Sequence, residues 1–404
     1  MKRLTLLLLG LALGVSATAG AQGLTMQMSN GWSFAFSGNV NVFWSFSKGN
    51  TVAGDQTNSN LRTGLLPAFA TFEAKGKEGG LNLGVHFGFA PQIQNGGNAH
   101  DGFQNPNRID MRQVYLTVGF KDGSQILAGR ELALFGRQNI LNDMTLFGIG
   151  AVGIPLVQGG GTTLGRIGFG YIYPNFNAQV TYSSKPGQAQ LSVGLFQPSN
   201  LGAIGYDFTS IPRVEAEFTY NQKSGKSNYM LWVGGLWQST KNAPTGGLSV
   251  SSFGGTAGIR AGFSDLTLVL NGYIGKGLGT TLMFSGGEVA GTGAATSPAL
   301  RSSDGGYAQL VYKVGPKSSV GFSWGFSRLK NNDTAAPNGD GNTNVRSNNY
   351  AYTLGLYHQW TKSLKFVLEG TEEGTTGNTL GPLLSPLPPG AKQIDIGAGF
   401  MLFF

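Results

Sequence analysis

From Gly31 to Ser47 the chain alternates residue by residue, and a period of two over that length admits a β-strand with two unlike faces and little else. Trp32, Phe34, Phe36, Val40, Val42, Trp44 and Phe46 share one face; Ser33, Ala35, Ser37, Asn39, Asn41, Ser45 and Ser47 share the other, with Phe43 the only large apolar residue among them. Alternation alone also suits a soluble sandwich. The character of the faces separates the two cases. One is wholly apolar and ends in aromatics while the other is small and polar, as expected where lipid lies outside and water inside.

The dyad recurs. Leu81, Leu83, Val85, Phe87 and Phe89 oppose Asn82, Gly84, His86 and Gly88; Val214, Ala216, Phe218 and Tyr220 oppose Arg213, Glu215, Glu217 and Thr219. Further copies run through Ala257–Phe263, Val320–Ser327 and Gln393–Phe404. Charge falls repeatedly on the polar face, which a bilayer demands, because a charge facing lipid costs roughly 2–4 kcal/mol at the midplane. Short turns are expected at Lys77–Gly79, Lys121–Gly123, Lys185–Gly187, Lys223–Lys226, Ser264–Asp265, Gly315–Lys317 and Thr361–Ser363. Long loops are expected near 48–61, 92–108, 131–165, 198–212, 239–253, 276–304, 329–348 and 371–392. Seven turns and eight loops imply an all-β, transmembrane antiparallel β-barrel of about sixteen strands. Arg166–Ser183 reads as one long, bulged strand whose apolar parity flips around Pro174; a hairpin there would raise the count to eighteen.

Composition agrees. Charged residues are 12% of the chain, against about 25% in soluble domains, while 66 glycines and 11% aromatics are present. No later stretch is apolar enough for a membrane helix. Residues 1–21 have a basic start, an apolar run and an Ala19-Gly20-Ala21 end, the pattern of a cleaved secretory signal peptide. The barrel domain would then be 22–404, carrying 8 − 2 = +6 once Lys2 and Arg3 are removed. With no cysteine there are no disulfides, zinc–thiolate sites or thiol chemistry, and the positive charge is too diffuse for nucleic acid.

The stretch Arg112–Arg166 departs from the rhythm. MRQVYLTVGF and SQILAGR bracket a turn as a hairpin, and then Glu131–Gly165 shows neither strand nor amphipathic helix. Its apolar content (Leu134, Phe135, Met144, Leu146, Phe147, Ile149) argues against a solvated tail. A loop of this kind folds against the inside of something hollow. MRQVYLTVGFKDGSQILAGR resembles the hallmark of the trimeric porins of Gram-negative outer membranes, an aromatic-bearing strand, a tight turn and a Gly-Arg pair before the inward third loop. GRIGFGYIYPNFNAQVTY resembles the porin strand after that loop, and the terminal Phe404 is similar to the last residue by which such barrels are recognised for insertion. The layout, including GIRAGFSDLTLVLNGYIGKGLG, also resembles the DcaP-like branch. The resemblance implies a homotrimer among outer-membrane lipids, passing small hydrophilic solutes. One departure is that the loop offers only Glu131 and Asp143 where general porins carry a dense acidic cluster.

Arg213 and Arg260 have lumen parity, and Arg166 opposes Ile167, Phe169 and Tyr171; Arg137 lies in the loop, and Arg130 enters on the resemblance. Guanidinium groups suit carboxylate or phosphate, so in a narrow pore they favour anions. The alternative is that they pair with Glu215, Glu217, Glu369 and Asp395 and only solvate the wall. His86, His100 and His358 stand apart without a nucleophile setting, so no enzyme and no cofactor is expected. Gly275–Thr281 lacks the spacing and strand–helix context of a phosphate loop. Asp333, Asn338, Asp340 and Asn342 offer calcium-type oxygens without the closing glutamate, so a solvated loop is expected there. A porin leads, then a selective channel for small organic acids. A non-conducting adhesion barrel using LGPLLSPLPPG is the reading from another class.

Overall fold

A computed structural model describes residues 23–51, 54–91, 93, 109–153, 162–201, 209, 211–241, 249–284, 287–290, 299–376 and 390–404. The signal-peptide expectation, His100 and most of the LGPLLSPLPPG run lie outside these residues.

The strands are β1 (Leu24–Gln27), β2 (Ser33–Thr51), β3 (Gly54–Arg62), β4 (Phe69–Glu78), β5 (Leu81–Pro91) and β6 (Ile109–Gly119). They continue with β7 (Gln125–Leu132), β8 (Phe176–Ser183), β9 (Ala189–Phe196), β10 (Arg213–Ser224), β11 (Ser227–Lys241) and β12 (Ser249–Phe263). The last six are β13 (Leu266–Lys276), β14 (Ser302–Lys313), β15 (Ser318–Lys330), β16 (Val345–Gln359), β17 (Leu364–Thr376) and β18 (Lys392–Phe403).

Each wall strand pairs antiparallel with its sequence neighbours, and β18 pairs with β2 from Gln393↔Gly49 to Phe403↔Asn39, which closes the barrel. Eighteen strands make sixteen wall positions. β3 covers the upper half of β2 and β4 its lower half, with residues 63–68 turned inward between them. β1 pairs with the start of β2 at Leu24↔Phe36 to Gln27↔Ser33, continuing the row that β18 leaves.

All seven expected short turns join consecutive strands, and the six quoted dyads hold their parity. Val40, Val42, Trp44, Phe87, Phe218, Phe253, Phe322 and Ile396 are exposed on the outside. Asn41, Ser45, Ser47, Glu215, Thr256, Ser323 and Asp395 are buried inside. An exposed apolar surface spread over most of the strands is what lipid, not water, would cover.

Several expected loops are shorter than read. Residues 48–61 are mostly strand, β2 reaching Thr51 and β3 starting at Gly54, and β11, β12 and β17 likewise run on into polar sequence. Polar residues continue a ladder easily where both faces meet water, so composition placed these strand ends too early. The strand expected over Arg166–Ser183 is corrected more sharply: β8 starts at Phe176. Gly165 and Gly168 have φ of +58° and +78°, and Asn175 has +63° after Pro174, so the backbone turns where a strand would extend. Arg166–Tyr173 therefore belongs to the inward segment.

Candidate functional site

The inward segment leaves the wall at Leu132 and rejoins it at Phe176. It holds a short helix, Arg137–Leu141, and a 3-10 turn, Met144–Phe147, whose Asp143 side chain accepts the Thr145 N–H at 2.9 Å. Its two described legs cross at Gly150 and Gly165. A Cβ on Gly150 would lie 2.6 Å from the Gly165 Cα, so nothing larger than glycine fits the crossing.

Carboxylates of the wall grip the segment by its backbone. Glu215 accepts the Phe135 N–H at 2.8 Å; Glu369 accepts the Ile149 and Gly150 N–H groups, each at 2.7 Å, and the Tyr357 hydroxyl at 2.6 Å. Glu373 accepts the Gly153 N–H at 2.8 Å, and Gln393 bridges Glu373 and Asp395 at 2.8 and 2.9 Å. Gln309 accepts the Met144 N–H at 2.6 Å. Asn139 is pinned by Trp232 and Thr256 through its side chain and by Tyr307 through its carbonyl. A buried N–H without a partner costs about 1–3 kcal/mol. This set of acceptors is therefore what lets an irregular segment lie inside the barrel.

Large apolar residues at lumen parity supply the remaining contact. Phe43, Tyr357, Val367 and Met401 pack with Met144 and Ile149; Trp232, Val269 and Tyr307 pack with Ile140, Leu146 and Tyr171. A second inward turn contributes Leu278, Met283 and Phe284, and Tyr173 donates its N–H to the Thr281 carbonyl at 2.8 Å. From Glu131 to Gly153 every residue is buried except Arg137 and Phe147.

The expected site residues scatter. Arg213 and Glu215 form a fully buried ion pair at 2.8 Å, the guanidinium lying between the rings of Phe196 and Phe284. Arg137 pairs with Glu217 at 2.6 Å and is 24% exposed, so part of it still faces open lumen. Arg166 is buried outright and donates to the Ala351 carbonyl at 2.6 Å and to the Ser323 carbonyl. Glu369 and Asp395 are buried beneath the segment. Arg260 is part-exposed on the inner row opposite Val269, and no hydrogen-bond or ion-pair partner meets it among the described residues.

Arg130, expected among the lumen residues, falls on the outer row. Its register partners are Val114 and Ala178, and the next outer residue, Ala128, lies between the exposed Leu116 and Val180. The inner neighbour, Gly129, pairs with the buried Gln179. The alternation of β7 settles the matter: Glu131, not Arg130, points inward.

Sequence reasoning missed Glu373, Arg62 and Lys365. Arg62 donates to the Thr162 carbonyl at 2.8 Å, and the Lys365 ammonium sits 4.3 Å from the centroid of the Phe147 ring. Glu373 falls within the loop expected near 371–392, although Glu369, Thr371, Glu373 and Thr375 keep one parity. His86 does face inward, stacked on Tyr115 with ring centroids 4.6 Å apart. Its ring nitrogens lie 3.1 Å from Glu73 and 3.3 Å from Gln113, and Gln113 donates to Glu131 at 2.8 Å. Asp340 is held by the Arg301 guanidinium at 2.7 and 2.8 Å, and no cluster of metal ligands occurs among the described residues.

No family model matches the chain, and no curated relative does. Solved structures do. The outer-membrane channel DcaP of Acinetobacter baumannii is similar at 14% identity and a TM-score of 0.64, covering 94% of this chain and 99% of that one. An anion-selective porin from Comamonas acidovorans shares 14% identity at a TM-score of 0.61, covering 92% and 100%. The trimer form of OmpT from Vibrio cholerae shares 13% at 0.50, covering 92% and 99%. At such identities the likeness is one of fold, and the fold of this chain is that of the outer-membrane porins.

Proposed function

We propose that this chain is an outer-membrane channel for small hydrophilic solutes, non-enzymatic, with a preference for anions. The observation that carries the reading is how charge is spent inside the barrel. Glu215, Glu217, Glu369, Glu373 and Asp395 are all buried in bonds to the inward segment, its return or a neighbouring side chain. Arg260 and Lys365 face the lumen without an acidic partner among the described residues. Fixed charge in a narrow, low-dielectric passage then favours anions. The anion-selective porin of the same fold supports this.

Purified protein in a planar bilayer supplies the test. Wild type is expected to conduct and to give an anion-selective reversal potential in a salt gradient. Arg260→Gln with Lys365→Gln should move the potential toward cations, less so at 1 M salt, where screening shrinks to about 3 Å. An unmoved potential at low salt sinks the anion preference.

A second reading has its own support. The near-complete burial of Glu131–Gly153 is what a plugged barrel shows, and such a barrel would serve structure or adhesion. A silent bilayer with correctly folded protein would establish that reading in place of the channel.

Assembly follows from Arg130. An exposed guanidinium without a hydrogen-bond or ion-pair partner among the described residues, on an outer row of apolar residues, suits protein better than lipid. We place the outer face of β6–β8 at a contact between copies, in keeping with a homotrimer.

A further inference from the structure

The inner surface beneath the inward segment has a composition of its own. The cluster of Phe43, Met144, Ile149, Tyr357, Val367 and Met401 carries four part-exposed apolar side chains on its rim: Leu66, Phe147, Val311 and Phe403. The rings of Phe147 and Phe403 meet edge to face at 6.0 Å. Lys365 stands beside them, second residue after the short turn from β16, with Met401 as its register partner on the inner row. Its ammonium lies against the Phe147 face at 4.3 Å, and neither a carboxylate nor a hydrogen-bond acceptor meets it among the described residues. An ammonium held on a ring face has a weak partner, and it keeps its hydrogen-bonding capacity for a stronger one. The cluster around it is aromatic and aliphatic, and the carboxylate that borders it, Glu369, is already taken by the Ile149 and Gly150 N–H groups and the Tyr357 hydroxyl.

We propose that Lys365, Phe147 and Phe403 form a subsite at the short-turn end of the lumen for a monoanion with an apolar body, such as an aromatic monocarboxylate. The carboxylate would take the Lys365 ammonium while its ring lies along Phe147, Phe403 and Leu66. Charge without an apolar body would leave those side chains wet. A second carboxylate would be desolvated with nothing to meet it, so dicarboxylates gain nothing from this site. The proposal names a substrate class for the channel reading and rests on it for transport, whereas binding can be measured without conduction.

Calorimetry on detergent-solubilised, folded protein tests it with benzoate, acetate, succinate and benzyl alcohol. Benzoate is expected to bind about tenfold tighter than each of the other three. Lys365→Met should remove that advantage, Lys365→Arg should keep most of it, and Phe147→Leu should weaken benzoate while leaving acetate unchanged. Equal binding of benzoate and benzyl alcohol to wild type, or undiminished benzoate binding by Lys365→Met, overturns the subsite. The wild-type probes decide even if a variant fails to fold. A barrel that binds benzoate in this pattern yet passes no current keeps the subsite and loses the channel.

Discussion

Phe43 shows how much a single residue can disclose. It is the one large apolar side chain on the polar face of its strand, and it is buried against Ile149 of the inward segment. Trp232, Tyr307 and Tyr357 break the dyad in the same way and touch the same segment. The wall was legible because every strand repeats one rule, and the exceptions mark where something lies inside. Arg166 was legible only as a charge. Its parity was argued from a strand that does not form, and its partners, Ser323 and Ala351 carbonyls, are 157 and 185 residues away in sequence. No local pattern encodes that distance. Arg166→Met should lower stability in a urea unfolding series by about 2–4 kcal/mol, since it removes two buried hydrogen bonds from a charged group, each worth about 1.5–3 kcal/mol. Arg260→Met, which meets no hydrogen-bond or ion-pair partner among the described residues, should leave the midpoint nearly unchanged.

At the scale of elements, the inward segment was recognised by what it lacked, and its attachment could not be. Glu369 was expected to line water, yet it holds two backbone N–H groups and a tyrosine hydroxyl. Glu369→Leu should free the 148–153 stretch and give noisier, larger single-channel currents, with the barrel still migrating as folded on unheated gels. An unchanged current trace would place that stretch away from the ion path. The outer loops carry a pH dependence. Partial burial works to raise the Asp340 carboxyl, but hydrogen bonds from Arg301 and the Asn332 N–H outweigh it and hold the group below its usual 3.8. A depressed carboxylate stabilises the fold above the unfolded value and loses that contribution as pH falls through the folded one. The segments 299–301 and 331–344 should therefore become more open to an acid-active protease only below about pH 4. Asp340→Asn should show that openness already at pH 7, to a protease active at neutral pH.

For the whole molecule, the closed wall and its asymmetric turns and loops could be counted from sequence, while the sector that would meet a second copy in the proposed trimer could not. Arg130 was misplaced because the resemblance put it beside the pore, and only the register of β7 puts it outside. Arg130→Glu should shift crosslinked material in native membranes from trimer to monomer without unfolding the barrel. Persistence of the trimer would move the contact to another face.

The row shared by β1 and β18 has a consequence in time. The strand that emerges first and the strand that emerges last pair with the same neighbour, β2, at adjoining registers. No half of the cylinder can then be finished early. The wall cannot close until Lys392–Phe403 has been made, and closure becomes a single event. Losing the final strand would leave β2 and β17 as bare edges facing each other, a template for pairing with the wrong chain.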